Sequence, residues 1–418
     1  MSRKLLDDCF LHDRDRLKHD DAIDLIRTRL RRVADVEEAP LDRLAGRVLA
    51  TDVAAPRPVP AFTNAAVDGY AFAYESLAGG TPLAIAMRLT AGASTETPLA
   101  PGQAARIFTG APMPPGADTC VMQEDVTVAD DAIAVPAGLR KGANTRKAGE
   151  DVKAGDVVVR AGTRLRPQEV AAIASTGAAT AACYRPLKVA VLSTGDELLA
   201  PGQPFRPGGV YDSNRTMIRA LLGLQGVEVL DLGVVPDRRD AVESAVAGAA
   251  AQADAILSTG GASRGEADYV VETIAKLGQL TAWQIAVKPG RPLAIGQIRD
   301  TVYFGLPGNP VAAFVTFLLY AQPMLAILQG ADWRPPRRYP LPAAFSVPAR
   351  KTGRREFWRG SLVDTAEGLR VKKFERDGSG LISGLSQSDG LIDIPEARGP
   401  VLEGDLVDFI PYGAFGLP

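Results

Sequence analysis

The chain has 418 residues, of which 46% are hydrophobic and 23% are charged, and its formal net charge is −2 at pH 7. This composition is that of an ordinary globular protein, and the length is sufficient for about two to four domains. A net charge so close to zero argues against a dedicated nucleic-acid binder, which is usually strongly basic. The cysteines, Cys9, Cys120 and Cys183, are too widely spaced for a disulfide framework or a metal site. We therefore expect a cytoplasmic protein in a reducing compartment.

Histidine content and hydropathy limit the chemistry and the location further. The only histidines are His12 and His19, which argues against a Ser-His-Asp triad or a histidine-rich metal site. Acid–base chemistry then falls to carboxylates, lysine, tyrosine or water. The most apolar stretch, residues 311–328, contains Gln322 and Pro323, so we predict a buried core helix and no membrane association. The charged N-terminal segment does not have the pattern of a signal peptide.

The first region, residues 1–185, combines helices with a lobe of short strands. Residues 20–33 carry apolar side chains at helical spacing and predict an amphipathic helix. A stretch rich in proline, glycine and short β-branched runs follows, and we place an inserted β lobe at about 56–141. The segment RPQEVAAIASTGAA then predicts a helix that is terminated by Gly177.

Residues 186–330 alternate between apolar strands and helices. The strand-like segments are PLKVAVLS, VEVLDLGVV, ADAILST, TAWQIAV and TVYFGL. Alternation of this kind predicts parallel βαβ units and a three-layer α/β domain. Ligands in such domains bind beyond the C-terminal ends of the strands, which is where STGDE, VVPD and STGG lie.

A proline-rich segment at 331–340 separates the α/β domain from the last part of the chain. The segments FSVPARK, REFWRGSLV, GLRVKKFE and GDLVDFIP predict a small β-barrel over residues 335–418. Residues 331–376 contain twelve Lys and Arg against five Asp and Glu, which indicates a local basic face. The predicted fold class is therefore multidomain, α/β plus β.

The strand ends carry glycines and carboxylates together. Ser-Thr-Gly follows an apolar strand at residues 193 and 258, and free N–H groups at such a turn can bind an anion. Plain strand-to-helix turns remain an alternative, and Asp237 could simply cap the helix that follows it. Several carboxylates converging on one crevice would repel one another unless a cation lay among them, and Mg²⁺ shared with phosphate oxygens meets that need. The carboxylates concerned are Asp196, Glu197, Asp237, Glu266 and Asp268.

Two further loops follow predicted strands. In KPGRP, Lys288 and Arg291 flank a Pro-Gly turn and are either anion ligands or surface charges. In LPGNP, Pro307 and Pro310 restrict the backbone, and Pro310 suits the first turn of the next helix. This rigid loop either serves the fold alone or excludes water from a site beside STGG.

Taken together, these blocks resemble a known family. AFTNAAVDGYAF, RIFTGAPMPPGADTCVMQE, VLSTGDEL, STGGASRGEADY, KPGRP and LPGNP occur in this order in molybdenum insertases, the molybdopterin molybdenumtransferases that include bacterial MoeA and the E domain of gephyrin. The α/β domain alone is shared with molybdopterin adenylyltransferases and CinA-like proteins. The upstream blocks and the C-terminal module favour the insertase.

The resemblance implies an elongated subunit that forms a homodimer with a cleft shared between two chains. It implies a reaction in which molybdate is inserted into adenylylated molybdopterin, AMP is released and Mg²⁺ assists. Molybdopterin adenylyltransferase and recipient molybdoenzymes are then expected as further partners.

The resemblance also assigns site residues, which we carry over by motif position. The catalytic set is Asp68, Thr109, Glu197, Asp237, Asp268 and Lys288, of which Glu197, Asp237 and Asp268 would bind metal. The substrate-binding set is Ser258, Thr259, Gly260, Gly261, Arg291, Pro307, Pro310, Arg359 and Ser379. Gln284 and Arg291 stand where relatives commonly have lysine.

Two other functions are compatible with parts of the sequence. A molybdopterin adenylyltransferase would consume ATP, but its chains are normally the α/β domain alone. A scaffold that binds partners without catalysis is a different class, and the acidic residues at the strand ends argue for an enzyme.

Overall fold

The computed structural model describes residues 16–94, 96–260 and 269–418. Its N-terminal region pairs short strands into several small sheets. The elements are helix α1 (His19–Arg29), strands β1 (Val36–Pro40), β2 (Val48–Leu49), β3 (Val53–Ala54), β4 (Asn64–Ala65), β5 (Gly69–Phe72), β6 (Leu83–Leu89), β7 (Gln103–Ile107), β8 (Thr119–Met122), β9 (Thr127–Ala129), β10 (Ala132–Ala134), β11 (Thr145–Arg146) and β12 (Val157–Val159), helix α2 (Pro167–Ser175) and strand β13 (Thr180–Tyr184).

The inserted lobe is a six-stranded sheet in the order β8-β5-β7-β6-β10-β9, within the range that the sequence predicts. Helix α1 is shorter than predicted and ends at Arg29. The reason is that the chain turns extended at Leu30, and the N–H groups of Val33 and Ala34 then donate to the carbonyl of Leu328 instead of continuing the helix. Helix α2 ends before Gly177, whose φ of 86° confirms the predicted glycine termination.

The α/β domain follows in the predicted alternation. Its elements are β14 (Lys188–Thr194), β15 (Leu198–Leu199), β16 (Val210–Tyr211), α3 (Ser213–Gly223), β17 (Glu228–Val235), α4 (Arg239–Ala250), β18 (Ala255–Thr259), α5 (Tyr269–Leu277), β19 (Gln279–Gln284), β20 (Val287–Lys288), β21 (Pro292–Ile298), β22 (Thr301–Leu306), α6 (Pro310–Thr316) and α7 (Gln322–Gln329).

The main sheet has the order β17-β14-β18-β22-β21-β19, and its first four strands are parallel. One hydrophobic cluster covers each face, so the three-layer arrangement is confirmed. The sequence did not predict β21, which pairs antiparallel with both β22 and β19. A short turn joins β21 to β22, which is possible because an antiparallel neighbour needs no helical crossover.

The apolar stretch Pro310–Gln329 is long and apolar enough to cross a membrane, but 94% of its most apolar part is buried inside the protein. A π-helical turn at Phe317–Ala321 accommodates Pro323, which has no N–H to give to the preceding turn. The side-chain amide of Gln322 is satisfied by the carbonyl of Phe415 at 2.7 Å. The stretch is the predicted core helix.

The C-terminal domain includes one strand from the α/β domain in its sheet. Its own elements are β23 (Tyr339–Pro342), β24 (Arg355–Thr365), β25 (Gly368–Lys373), α8 (Ser383–Ser386), β26 (Gly390–Ile394) and β27 (Leu406–Pro411). Strand β20 of the α/β domain pairs with the start of β24 in a sheet of order β20-β24-β26-β27-β23, and β25 pairs with the end of β24. One core cluster contains Ile26, Phe314, Phe357 and Ile410, so α1, the α/β domain and the C-terminal domain pack together.

Candidate functional site

A cavity of about 530 Å³ lies between the strand-end loops of the α/β domain and the C-terminal sheet. Five of the predicted site residues line it: Gly260, Lys288, Pro307, Arg359 and Ser379. Gly260 and Ser379, the first and the last of these residues, are almost 120 positions apart in the chain. The association of β20 with β24 is what brings the two halves of the wall together.

Backbone contacts fix the loops around this cavity. Gly260 has a φ of 92°, which favours glycine, and its N–H donates to the Leu306 carbonyl at 3.1 Å. The carbonyl of Ser379 accepts from the N–H of Val311 at 2.9 Å, which satisfies a free donor in the first turn of α6. Asn214 donates to the Gly308 carbonyl at 2.6 Å and so anchors the LPGNP loop to the start of α3.

Lys288 lines the cavity because its strand, β20, pairs with β24 of the C-terminal sheet. In the parallel ladder between β20 and β24, Lys288 lies opposite Glu356. Its Nζ is 3.5 Å from Glu356 Oε2, and the lysine side chain is half-exposed. The buried Glu356 also accepts from Trp358 Nε1 at 2.8 Å, so its carboxylate is fixed. The ammonium group is thereby held at the cavity wall.

Arg359 is buried in the same wall, and its guanidinium has backbone partners. It donates to the carbonyls of Leu381, Arg376 and Gly378 at 2.8, 2.9 and 3.3 Å. Its Cζ lies 4.6 Å from the centroid of the Phe374 ring. Burial lowers the pKa of Arg359. Arg359 therefore also organises the loop that carries Ser379.

Ser258 and Thr259 do not line the cavity. Both are buried, and their hydroxyl groups have internal partners. Ser258 Oγ lies 2.7 Å from Tyr303 Oη and donates to the Gly260 carbonyl at 3.0 Å, and Thr259 Oγ1 lies 2.7 Å from Ser193 Oγ. The two hydroxyls support the end of β18, and the assignment of Ser258 and Thr259 to substrate binding stays a prediction.

A second group of predicted residues forms an acidic edge at the ends of β14 and β17. Burial raises the pKa of Asp237, and the neighbouring charges of Asp196 and Glu197 raise it further. Gly195 has a φ of 147°, which favours glycine, and a Cβ there would lie 2.7 Å from Glu197 Oε2, so another residue would also displace that carboxylate. Asp237 does not cap α4, whose N-cap is Arg238 without a side-chain bond. The capping alternative is therefore wrong.

The acidic edge does not by itself complete a metal site. Within residues 16–94, 96–260 and 269–418, no group of three His, Cys, Asp or Glu side chains could hold a metal ion. The third predicted ligand, Asp268, lies outside the described residues, as do Glu266 and Gly261.

Asp68 and Thr109 meet in the β lobe, 41 positions apart in the chain. Asp68 Oδ1 accepts from both the N–H and the Oγ1 of Thr109, each at 2.8 Å. These two bonds lower the pKa of the exposed Asp68 carboxyl. The aspartate is therefore a fixed negative charge at neutral pH. Neither residue lines the interdomain cavity.

Two other predicted residues lie beside the cavity without lining it. Pro310 starts α6 as predicted. Arg291 is exposed, and its carbonyl accepts from the N–H of Ile285 at 3.0 Å. The sequence did not single out Lys373 and Asp377, which do line the cavity. Strand alternation could have identified Lys373 from the sequence, because Lys373 lies two residues after the buried Val371 and therefore shares its inward face.

Comparison with known families accounts for nearly the whole chain. Residues 17–177 match the MoeA N-terminal region (domains I and II). Residues 190–327 match a probable molybdopterin-binding domain, and residues 341–412 match the MoeA C-terminal region (domain IV).

Individual relatives agree with the family match. The chain is 40% identical to a molybdopterin molybdenumtransferase of Haemophilus influenzae over 375 residues, which cover 89% of this chain and 93% of the relative. It is 36% identical to one from Nostoc over 312 residues, 72% of each chain. Its structure is similar to that of a MoeA protein from Pyrococcus horikoshii, with a TM-score of 0.82, 28% identity and coverage of 95% of this chain and 100% of the other.

The matched families and the curated relatives together identify a transferase with a probable molybdopterin-binding domain. The chain belongs to the molybdopterin molybdenumtransferase family, and its activity lies in molybdenum cofactor biosynthesis.

Proposed function

We propose that this transferase inserts molybdenum from molybdate into adenylylated molybdopterin and releases AMP. The observation that carries the proposal is the interdomain cavity, where Lys288 and Arg359 face one space beside the Gly260 turn. Molybdate is a dianion, and a guanidinium and an ammonium group in a partly desolvated wall are suitable partners for it. The backbone at Gly260 allows the pterin-bearing ligand to approach the strand ends closely.

Mg²⁺ dependence is part of the proposal and rests on the acidic edge. Glu197 and Asp237 offer only carboxylate oxygens, which is the ligand type that Mg²⁺ prefers. The raised pKa of Asp237 reflects burial and unrelieved repulsion from its neighbours, which a cation would relieve. The ion takes few protein ligands when phosphate oxygens complete its shell, so Glu197, Asp237 and Asp268 would suffice. When bound, it would neutralise charge on the phosphoanhydride.

We also propose a cytoplasmic homodimer whose cleft is shared between two chains. Asp68 and Thr109 are held in the lobe and do not line the cavity of their own chain. A partner chain could bring this pair to the cleft. Mixing an Asp68→Asn chain with a Lys288→Met chain tests the idea. With shared clefts, half of the random dimers would carry one intact site, and activity would recover to about a quarter of the wild-type value. No recovery above either variant alone would refute the shared cleft.

The reaction itself is tested by supplying adenylylated molybdopterin, molybdate and Mg²⁺ and measuring AMP and molybdenum cofactor. We expect both products in equal amounts. Consumption of ATP with formation of adenylylated molybdopterin would identify an adenylyltransferase instead, and absence of any turnover would favour a scaffold. An Asp237→Asn chain in the same assay should lose about 100-fold or more in turnover, since a metal contribution of several kcal/mol would be affected. Raising the Mg²⁺ concentration should restore part of the turnover of this variant.

A further inference from the structure

The interdomain cavity contains a carboxylate of its own. Among the described residues that line it, Lys288, Arg359 and Lys373 are cationic, and Asp377 is the one acidic residue. Lys288 lies 3.5 Å from the buried Glu356, and Lys373 is paired with Asp377, whereas the hydrogen-bond partners of Arg359 are carbonyl groups. A dianion such as molybdate, tungstate or sulfate would be held best by Arg359 together with a second cation, and the lysine paired with the exposed Asp377 is the one that it could take over.

Lys373 is less exposed than Lys288, the other lysine in this wall. Only 13% of its side chain is exposed, and its Nζ lies 5.6 Å from the centroid of the Trp358 ring. Its position on the inward face of β25 follows from the alternation of the strand. The ammonium group donates to the carbonyl of Phe374 at 3.3 Å and to Asp377 Oδ1 at 2.7 Å.

Asp377 is held much more loosely than the lysine that it contacts. Its side chain is 73% exposed, so the carboxylate can turn into solvent without breaking core packing. The hydrogen bond from Lys373 lowers the pKa of Asp377, and the charges of Lys373, Lys288 and Arg359 lower it further. Asp377 therefore lies in the field of all three cations of the wall, and it is in direct contact with Lys373.

We infer that Asp377 is the resident counter-anion of this cavity: it pairs with Lys373 in the free protein and yields that ammonium group to an incoming tetrahedral oxyanion. Lys373 is then an oxyanion-binding residue, and Asp377 sets the affinity by competing for it. The inference rests on the proposed function in taking molybdate as the physiological oxyanion.

Direct binding of molybdate alone to the full chain tests this without any pterin. Equilibrium dialysis at fixed ionic strength would give the dissociation constant. We expect Lys373→Met, which keeps the apolar stem, to weaken binding about tenfold, as for the loss of a charge-assisted contact. Asp377→Asn should tighten binding by about three- to tenfold, because the competing charge is gone. In a Lys373→Met background, Asp377→Asn should change the dissociation constant less than about twofold.

The chain offers a matched control on the same strand. Lys372 forms an exposed ion pair with Glu375 at 3.1 Å, and neither residue lines the interdomain cavity. Lys372→Met and Glu375→Gln should leave the affinity within about twofold of the wild type, since an exposed pair contributes little. Lys373→Gln provides a second removal of the charge if the methionine variant does not fold.

The outcomes separate the inference from the reaction. Unchanged or weaker binding by Asp377→Asn, or no oxyanion binding by the wild type, would overturn the inference. An equal effect of Asp377→Asn in both backgrounds would mean that Asp377 repels anions at a distance and does not act through Lys373. Intact binding differences together with no AMP release from adenylylated molybdopterin would overturn the proposed function alone.

Discussion

Two buried arginines, Arg355 and Arg359, lie four positions apart on β24 and belong to two different regions. Arg355 is at the junction with α1, where it binds both oxygens of Asp393 at 2.7 and 2.9 Å and Asp20 at 2.9 Å. Burial opposes its charge, but the bonds and the charge of Asp393 outweigh that effect, and the pKa of Arg355 is raised. Arg359 lies at the cavity, and burial lowers its pKa.

The difference lies in the kind of partner. A carboxylate neutralises a guanidinium, whereas the carbonyl groups around Arg359 orient it and leave its net charge in place. The first arrangement serves stability, since a fully paired ion has no charge left for a ligand. The second leaves a positive charge beside a cavity, which is what an oxyanion site needs. The same strand therefore supports the fold at one end and the site four residues later.

The largest expected effect tests the junction. Asp393 is buried and also accepts from Arg338 Nε at 2.8 Å, so Asp393→Asn would remove the carboxylate that Arg338 and Arg355 share and would leave Arg355 with the exposed Asp20 alone. We expect the free energy of unfolding to fall by about 3–5 kcal/mol. Denaturant unfolding measures it, and Asp240→Asn is the control, because its ion pair with Arg238 is exposed and should contribute about 0.5 kcal/mol or less. A loss below about 1 kcal/mol for Asp393→Asn would mean that the junction does not depend on this carboxylate.

The second effect is the pH dependence of the same junction. Burial lowers the pKa of His19 from 6.5 to about 4, with a smaller contribution from the charge of Arg355. The unfolded chain therefore takes up a proton on His19 near pH 6.5, and the folded chain does so only near pH 4. The stabilisation that comes from the neutral His19 is fully present above pH 6.5 and is lost as the pH falls from 6.5 to about 4. At about 1.36 kcal/mol per pKa unit, the loss is about 3 kcal/mol.

Substitution of His19 isolates this contribution. The ring Nδ1 lies 2.8 Å from Tyr320 Oη, and glutamine keeps a polar group there without a titrating one. His19→Gln should lower stability at neutral pH but show a flatter decline between pH 6.5 and 4 than the wild type. Unfolding curves at several pH values decide it. Parallel curves for the two proteins would show that His19 does not titrate abnormally.

Features that depend on local sequence were predictable. The alternation of apolar segments predicted the parallel strands, and Gly177 predicted the end of α2. Gln322 and Pro323 indicated that the apolar stretch is a core helix. These follow from side-chain periodicity and backbone freedom, which act over a few residues. The motif blocks also led to the cavity residues, of which Arg359 and Lys288 are clear examples.

Features that depend on distant partners were not predictable. Helix α1 stops at Arg29, and after the extended Leu30 the N–H groups of Val33 and Ala34 donate to the carbonyl of Leu328, almost 300 positions later. The sequence also did not indicate that the hydroxyls of Ser258 and Thr259 lie 2.7 Å from Tyr303 Oη and Ser193 Oγ. The roles of such polar groups are settled by tertiary packing, which one sequence does not encode locally.

The smallest effect tests the cavity end of the comparison. Arg359→Ala removes a desolvated positive charge from the wall, and we expect half-saturation by molybdate to require about tenfold more anion, equivalent to about 1.4 kcal/mol. The three carbonyls that Arg359 binds would lose their donor, so a moderate loss of stability should accompany the loss of affinity.

Arg359→Lys restores a charge without the planar fork and should recover part of the affinity. The control is Arg337→Ala, because Arg337 is exposed and its Cζ lies 5.7 Å from the centroid of the Tyr339 ring, away from the cavity wall. Titration of molybdate at fixed ionic strength compares the four proteins. Equal, small shifts for Arg359→Ala and Arg337→Ala would mean that the basic domain attracts molybdate through a diffuse field, and the contrast with Arg355 would then have no bearing on function.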